Sequence, residues 1–128
     1  MKYLLDTHLL LWAASGSSRL SKITKELLID EQNECWFSAG SIWEIIIKNG
    51  LGRHDFHVEP SVFRRALLDH GYLEVPIKSE HTIMVSNLPP IHKDPFDRIL
   101  VAQALIEGCI LLTNDAVLKQ YPGSIQLV

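Results

Sequence analysis

The sequence predicts a three-layer α/β/α fold around a short, mostly parallel sheet of four to five strands. Short apolar runs alternate with longer stretches of helical periodicity, which is the pattern of consecutive βαβ units. The clearest runs, YLL at 3–5, CWFS at 35–38 and CILLT at 109–113, are continuously apolar, as strands covered on both faces must be. A length of 128 residues is near the commonest domain size and suffices for one core, so a single domain over 1–128 is expected.

Taken in order, Tyr3-Leu4-Leu5 reads as the first strand, ended by Asp6. Leu9, Leu10, Leu11 and Trp12 follow as a short buried helix, and residues 15–18 (SGSS) as a turn. Ser21 has the chemistry of an N-cap, and Ile23, Leu27 and Leu28 mark one face of a helix reaching about Gln32. Residues 35–38 make the second strand. Ile42, Trp43, Ile45, Ile46 and Ile47, read as buried, form a helix that stops at Asn49-Gly50. Residues 51–59 lack periodicity and read as a loop. Pro60-Ser61 opens a helix whose apolar face is Val62, Phe63, Ala66, Leu67 and Leu68 and which ends at His70-Gly71. A short strand at 73–76 and a helix from Ser79 to Leu88 come next, the latter ended by Pro89-Pro90. Asp94-Pro95 opens a helix from Phe96 to Glu107, closed by Gly108. The strand at 109–113, a short helix at 115–120 and a last strand at 125–128 complete the chain.

Twelve basic residues against fifteen acidic ones give a net charge of −3, which excludes a protein that clamps nucleic acid by bulk charge. Cys35 and Cys109 lie in apolar runs and read as small buried hydrophobes in a reducing compartment; neither has metal-ligand spacing. No signal peptide and no membrane-length apolar run is visible, so a soluble, cytoplasmic protein is expected. Of six histidines only His54 and His57 stand close together, in the loop, and His8 after Asp6-Thr7 reads as a packed residue or one supporting Asp6, not as a general base. Trp12, Trp36 and Trp43 sit within apolar runs and read as core.

Parallel sheets keep their working groups beyond the carboxyl ends of the strands. Asp6 ends the first strand, Asp115 follows the 109–113 strand by two residues, Asp97 lies in the first turn of its helix, and Glu44 sits inside SIWEIII. Each has a bland reading. Asp6 and Asp115 suit helix caps, Asp94 is an N-cap before Pro95, and Asp97 then falls at N3, where an acid favours the helix dipole. Glu44 is hardest to dismiss among its apolar neighbours, although Lys48 at i+4 offers a partner. As a set the acids point elsewhere. Like charges about 4 Å apart repel by roughly 4 kcal/mol at an effective dielectric of ~20, so a gathered set needs a proton or a cation. Carboxylates without His or Cys spacing match a hard ion such as Mg²⁺ or Mn²⁺, which acidifies water and steadies a phosphoryl group.

The segments YLLDTHLLLWA, FSAGSIWEIIIKNGLG, KDPFDRILVAQA and LLTND, in this order over nearly the whole chain, resemble the PIN domain and, more narrowly, the VapC-type ribonuclease toxins of prokaryotic toxin–antitoxin pairs. The resemblance implies a PIN-like three-layer fold with Asp6, Glu44, Asp97 and Asp115 as the catalytic, metal-holding acids, directly or through water. Asp94, Thr7 and Thr113 become accessory groups. It further implies Mg²⁺- or Mn²⁺-dependent endonuclease action on RNA, products with a 5′-phosphate and a 3′-hydroxyl, a homodimer, and a cognate antitoxin that occupies the site.

With the four acids set aside, the remaining acids are one fewer than the bases, so a local basic surface is open to the chain. Arg19, Lys22, Lys25, Lys48, Arg53, His54, Lys93 and Arg98 are the candidates. Lys48, Arg53, Lys93 and Arg98 stand near the acids and suit RNA phosphates, against the bland reading of a solvated surface. The apolar stretches 42–47 and 62–68 suit a homodimer face or a groove for a partner helix. Other classes stay open: a PIN nuclease of RNA processing without an antitoxin, an Asp-based phosphotransfer domain, or a catalytically silent binding module. A receiver-like protein would want a lysine at the end of a late strand, where IQLV has none, and a dehalogenase-like one an Asp at position 8, which is His.

Overall fold

The computed structural model describes residues 1–51 and 58–128. Five strands, β1 (Lys2–Leu5), β2 (Glu34–Ser38), β3 (Leu73–Val75), β4 (Ile110–Thr113) and β5 (Ile125–Leu127), form one sheet in the order β3-β2-β1-β4-β5. Every pairing is parallel. Helices α1 (Thr7–Ser15), α2 (Lys22–Ile29), α3 (Ala39–Gly50), α4 (Pro60–Asp69), α5 (Ser79–Ser86) and α6 (Pro95–Glu107), with a 3-10 turn at Ala116–Gln120, make the connections.

Because successive strand residues face opposite sides, the sheet feeds two cores. Leu4 and Leu111 pack with Leu100, Val101 and Leu118 on one face. Leu5, Phe37 and Leu112 pack with Leu9, Ile45 and Phe63 on the other. The order of strands reverses at β1, which lies between β2 and β4. That reversal opens a crevice at the carboxyl ends of β1 and β4, the usual ligand position in such sheets.

Some sequence boundaries move. The helix expected from Ile42 begins at Ala39, because Ser38 ends β2 and also caps α3, its hydroxyl accepting the Gly40 N–H at 2.9 Å. The helix expected to reach Gln32 stops at Ile29, where the Asn33 amide donates to the Leu27 carbonyl. Among the described residues no helix is long and apolar enough to cross a membrane.

Trp43, Ile46 and Ile47 of α3 correct the sequence reading, whereas Trp12 and Trp36 pack against the two cores as expected. Trp43 is 57% exposed, Ile46 50% and Ile47 39%, while Ser41, Glu44 and Ile45 of the same helix turn inward. Trp12 and Trp36 are half-buried, with Arg19 and Lys2 lying over their rings at 5.7 and 5.5 Å. His8 is exposed rather than packed, though near enough to Asp6 for its charge to act on that carboxyl.

Candidate functional site

The site begins where β1 stops. The Asp6 N–H continues the ladder to the Leu112 carbonyl at 3.0 Å, which fixes the residue at the strand end. Its side chain serves two neighbours. Oδ1 accepts the Leu9 N–H at 2.9 Å and so caps α1, while Oδ2 accepts from the Thr113 hydroxyl at 2.5 Å. Burial pushes the Asp6 carboxyl up; the bonds from Thr113 and Leu9 pull it back. Thr113 also accepts the Asp115 N–H at 3.0 Å, so one hydroxyl joins the ends of both central strands. Thr113→Val keeps the shape and removes both bonds. We expect it to destabilise the fold by about 2–3 kcal/mol, the loss typical of a bond to a charged group, as urea denaturation would register.

Glu44 reaches the same edge from α3. The close approach of α3 needs Gly40: a Cβ there would lie 3.1 Å from Ser38 Oγ and 3.4 Å from side-chain carbons of Ile77 and Ile99. Thr7 donates to Glu44 Oε1 at 2.6 Å and lies 2.9 Å from the Ser41 hydroxyl. Lys48 Nζ sits 2.6 Å from Glu44 Oε2, so this buried anion carries its own counter-charge. Lys48, a sequence candidate for RNA, is thereby engaged inside the protein.

The remaining acids come from α6 and from the turn after β4. Asp94 caps α6, accepting the Phe96 N–H at 2.9 Å, and Asp115 caps the 3-10 turn, accepting the Val117 N–H at 3.0 Å. Asp97, in the first turn of α6, accepts from the described residues no capping hydrogen bond of the kind Asp94 and Asp115 accept. Burial is the main reason its carboxyl is pushed up to about 7, and the charges of Asp94, Glu44 and Asp6 add to the effect while His92 opposes it. Asp94, Glu44 and Asp6 therefore lie near enough to Asp97 for their charges to act on it. Asp115 joins them through His92, whose Nε2 lies 3.3 Å from Asp115 Oδ2 and 3.4 Å from Asp97 Oδ2.

The structure therefore gathers Asp6, Glu44, Asp94, Asp97 and Asp115 with Thr7 and Thr113. It gives Arg98 a structural role that the sequence did not suggest. Its guanidinium donates to the carbonyls of Val85, Pro89 and His92 and to the Tyr121 hydroxyl, at 3.0 to 3.5 Å, and so ties down the segment before α6. Lys93 is exposed beside Asp94. Arg53 and His54 lie outside the described residues. The sequence reading passed over His92 and Ser41. Ser41 stands three residues before Glu44 on one helical face, a usable signal. His92 stands two residues before Asp94, but only the folded path of residues 87–94 turns it inward.

The donor set fits a hard divalent cation. Oxygen atoms of Asp97 and Asp115 lie within 4.8 Å of each other and of His92, and like charges so close need a cation or a proton between them. A second grouping, Glu80, His81 and Glu107, does not fit. His81 Nδ1 accepts the Lys78 N–H at 3.0 Å, so the ring proton is on Nε2 and is donated to Glu107 at 3.0 Å. A cavity of about 640 Å³ lies elsewhere, lined by Ala13, Leu20, Leu28, Cys35, Leu67 and Tyr72, and holds none of the five site acids.

Fold and site define a class: a parallel α/β domain that gathers carboxylates where its strand order reverses. The PIN domain family model matches residues 3–124, and the chain belongs to that family. No curated protein matches its sequence. Solved structures share its fold end to end. VapBC2 from Rickettsia felis bound to a DNA fragment from its promoter is 15% identical with a TM-score of 0.73, covering 99% of this chain and 98% of that one. DNA-bound VapBC from Salmonella typhimurium is 14% identical with a TM-score of 0.68, covering 98% and 97%. VapBC-1 from nontypeable Haemophilus influenzae is 16% identical with a TM-score of 0.66, covering 99% and 98%. Likeness at such identities speaks for the fold alone.

Proposed function

We propose that the single PIN-like domain of residues 1–128 is a cytoplasmic, Mg²⁺- or Mn²⁺-dependent endoribonuclease, the VapC-like toxin of a type II toxin–antitoxin pair. One observation carries the reading. Asp6, Asp97 and Asp115, beside Glu44, converge at the carboxyl edge of the central strands, where the charges of Asp6 and Glu44 act on Asp97 and the carboxylates of Asp97 and Asp115 flank the same His92 nitrogen. Membership of the PIN family supports it, as do the VapBC assemblies that share the fold.

In this reading Asp6, Asp97 and Asp115 hold the cation, with Glu44 and Asp94 close by. When bound, the cation acidifies water and offsets the charge that builds on a phosphate during hydrolysis. The chain's own groups prepare the place. Thr113 fixes Asp6, the 3-10 cap fixes Asp115, and Thr7 with Lys48 fixes Glu44. Lys93, exposed at the rim, is the described base best placed to meet an RNA phosphate. The test is cleavage of single-stranded RNA by purified protein, with Mg²⁺ or Mn²⁺ and with chelator. Cutting that needs the metal is the expected result; no cutting with either ion overturns the reading.

The exposed Trp43, Ile46 and Ile47 on α3 form an apolar face suited to a second copy. Sedimentation is expected to give twice the chain mass of 14.5 kDa. Ile46→Asp is expected to halve it, because an unpaired charge would then enter the interface.

A further inference from the structure

We infer that His92 is a positioning residue of this site: it presents a ring N–H to the carboxylates of Asp97 and Asp115 together, holding them at a spacing a divalent cation can bridge, without itself ligating the ion. The inference rests on the cation-binding reading above and assigns a role to a residue outside the acidic set.

The position of the ring proton follows from one contact. The backbone N–H of Asp94 points at His92 Nδ1 at 3.0 Å. A backbone N–H can only donate, so Nδ1 is the acceptor and the neutral ring carries its proton on Nε2. That nitrogen lies 3.4 Å from Asp97 Oδ2 and 3.3 Å from Asp115 Oδ2. Both distances are nearly equal and longer than an ordinary N–H···O bond, so the ring edge stands between the two oxygens without bonding closely to either. The oxygens belong to different elements, one in α6 and one in the turn after β4. The positive end of the ring N–H dipole therefore lies between two anions that would otherwise push apart and offsets part of their repulsion.

The backbone that carries the ring is held in place. The backbone N–H of His92 donates to the Tyr121 hydroxyl at 2.7 Å, and that hydroxyl donates back to the His92 backbone carbonyl at 3.4 Å. Arg98 reaches the same carbonyl at 3.5 Å and the Tyr121 hydroxyl at 3.1 Å. Asp94, which fixes Nδ1, is itself fixed as the cap of α6. Ligation through Nε2 would need the proton on Nδ1, head-on to the Asp94 N–H. Outer-sphere partners of this kind typically change metal affinity 10–100-fold.

Two measurements test the inference. Long-range ¹H–¹⁵N spectra of the metal-free protein should show His92 as the Nε2–H tautomer; the Nδ1–H form overturns the inference. Mn²⁺ binding followed by electron paramagnetic resonance should weaken about 10–100-fold in His92→Phe. It should recover in His92→Gln, whose amide N–H falls near the place of Nε2. Equal affinity in His92→Phe overturns the role, as does a Gln variant no better than Phe when both melt like the parent. So does a directly bound nitrogen in the Mn²⁺ spin-echo spectrum. A parent protein that takes up no Mn²⁺ sinks the functional reading itself, a result distinct from parent binding that His92→Phe leaves intact.

Discussion

Asp97→Asn is expected to cut RNA cleavage by on the order of 10³-fold and, in metal-free protein at pH 8, to raise the melting temperature. The two effects have one cause. Asp97 is crowded by burial and by the charges of Asp94, Glu44 and Asp6, which lift its carboxyl from an ordinary value near 3.8 to about 7. A carboxyl raised on folding favours the native state only while protonated. Its contribution is intact below about pH 4, the unfolded value, and is lost as pH rises through the folded value near 7. The ionised form thus costs the metal-free fold stability, about 2 kcal/mol once the partial access of water is allowed for. Asparagine removes that cost and most of the pH dependence. A gain of about 5–10 °C at pH 8, shrinking toward pH 4, is expected in thermal melts. A residue needed only for architecture would lower the melting temperature instead. Excess Mg²⁺ or Mn²⁺ should stabilise the parent and leave the variant nearly unchanged, because an ion held only by the folded form raises its stability.

Arg98→Met should lose about 3 kcal/mol of stability, and Arg98→Lys should recover little of it. The guanidinium serves three carbonyls and one hydroxyl in different directions, a task for a planar fork with five N–H groups and not for a single ammonium. Methionine fills the space of the stem but leaves the carbonyls of Val85 and Pro89 short of a donor. Urea denaturation separates this role from the phosphate contact that the sequence suggested. A residue that only met RNA would change salt-dependent binding, leave stability within about 0.5 kcal/mol, and accept lysine.

Asp97 and Arg98 illustrate what the sequence could reveal. Asp6 and Asp115 were legible because apolar strands end just before them and parallel sheets keep their chemistry at that edge. The Glu44–Lys48 pair was legible from helical spacing alone, although whether it was structural or catalytic was not. SIWEIIIK carries apolar groups at too many positions for periodicity to say which face is inside. Only the tertiary fold, in which α3 comes close to Ile77 and Ile99 at Gly40, settles that Ser41 and Glu44 face inward and Trp43 and Ile46 outward. His92 was out of reach for a different reason. Its orientation depends on Arg98 and on Tyr121, a residue 29 positions further along, and no local pattern encodes a contact of that range.

Asp6 and Asp115 each do a second job, closing the start of a helix or turn, whereas Asp97 accepts no capping bond from the described residues. Caps of this kind are worth about 0.5–2 kcal/mol, a sizeable part of a small domain's margin. A descendant that abandoned the reaction would still be held to the first two aspartates by its need to stay folded, and would be released from the third. Among related chains, then, the identity of the residue at position 97 should separate living enzymes from silent copies better than a tally of acids.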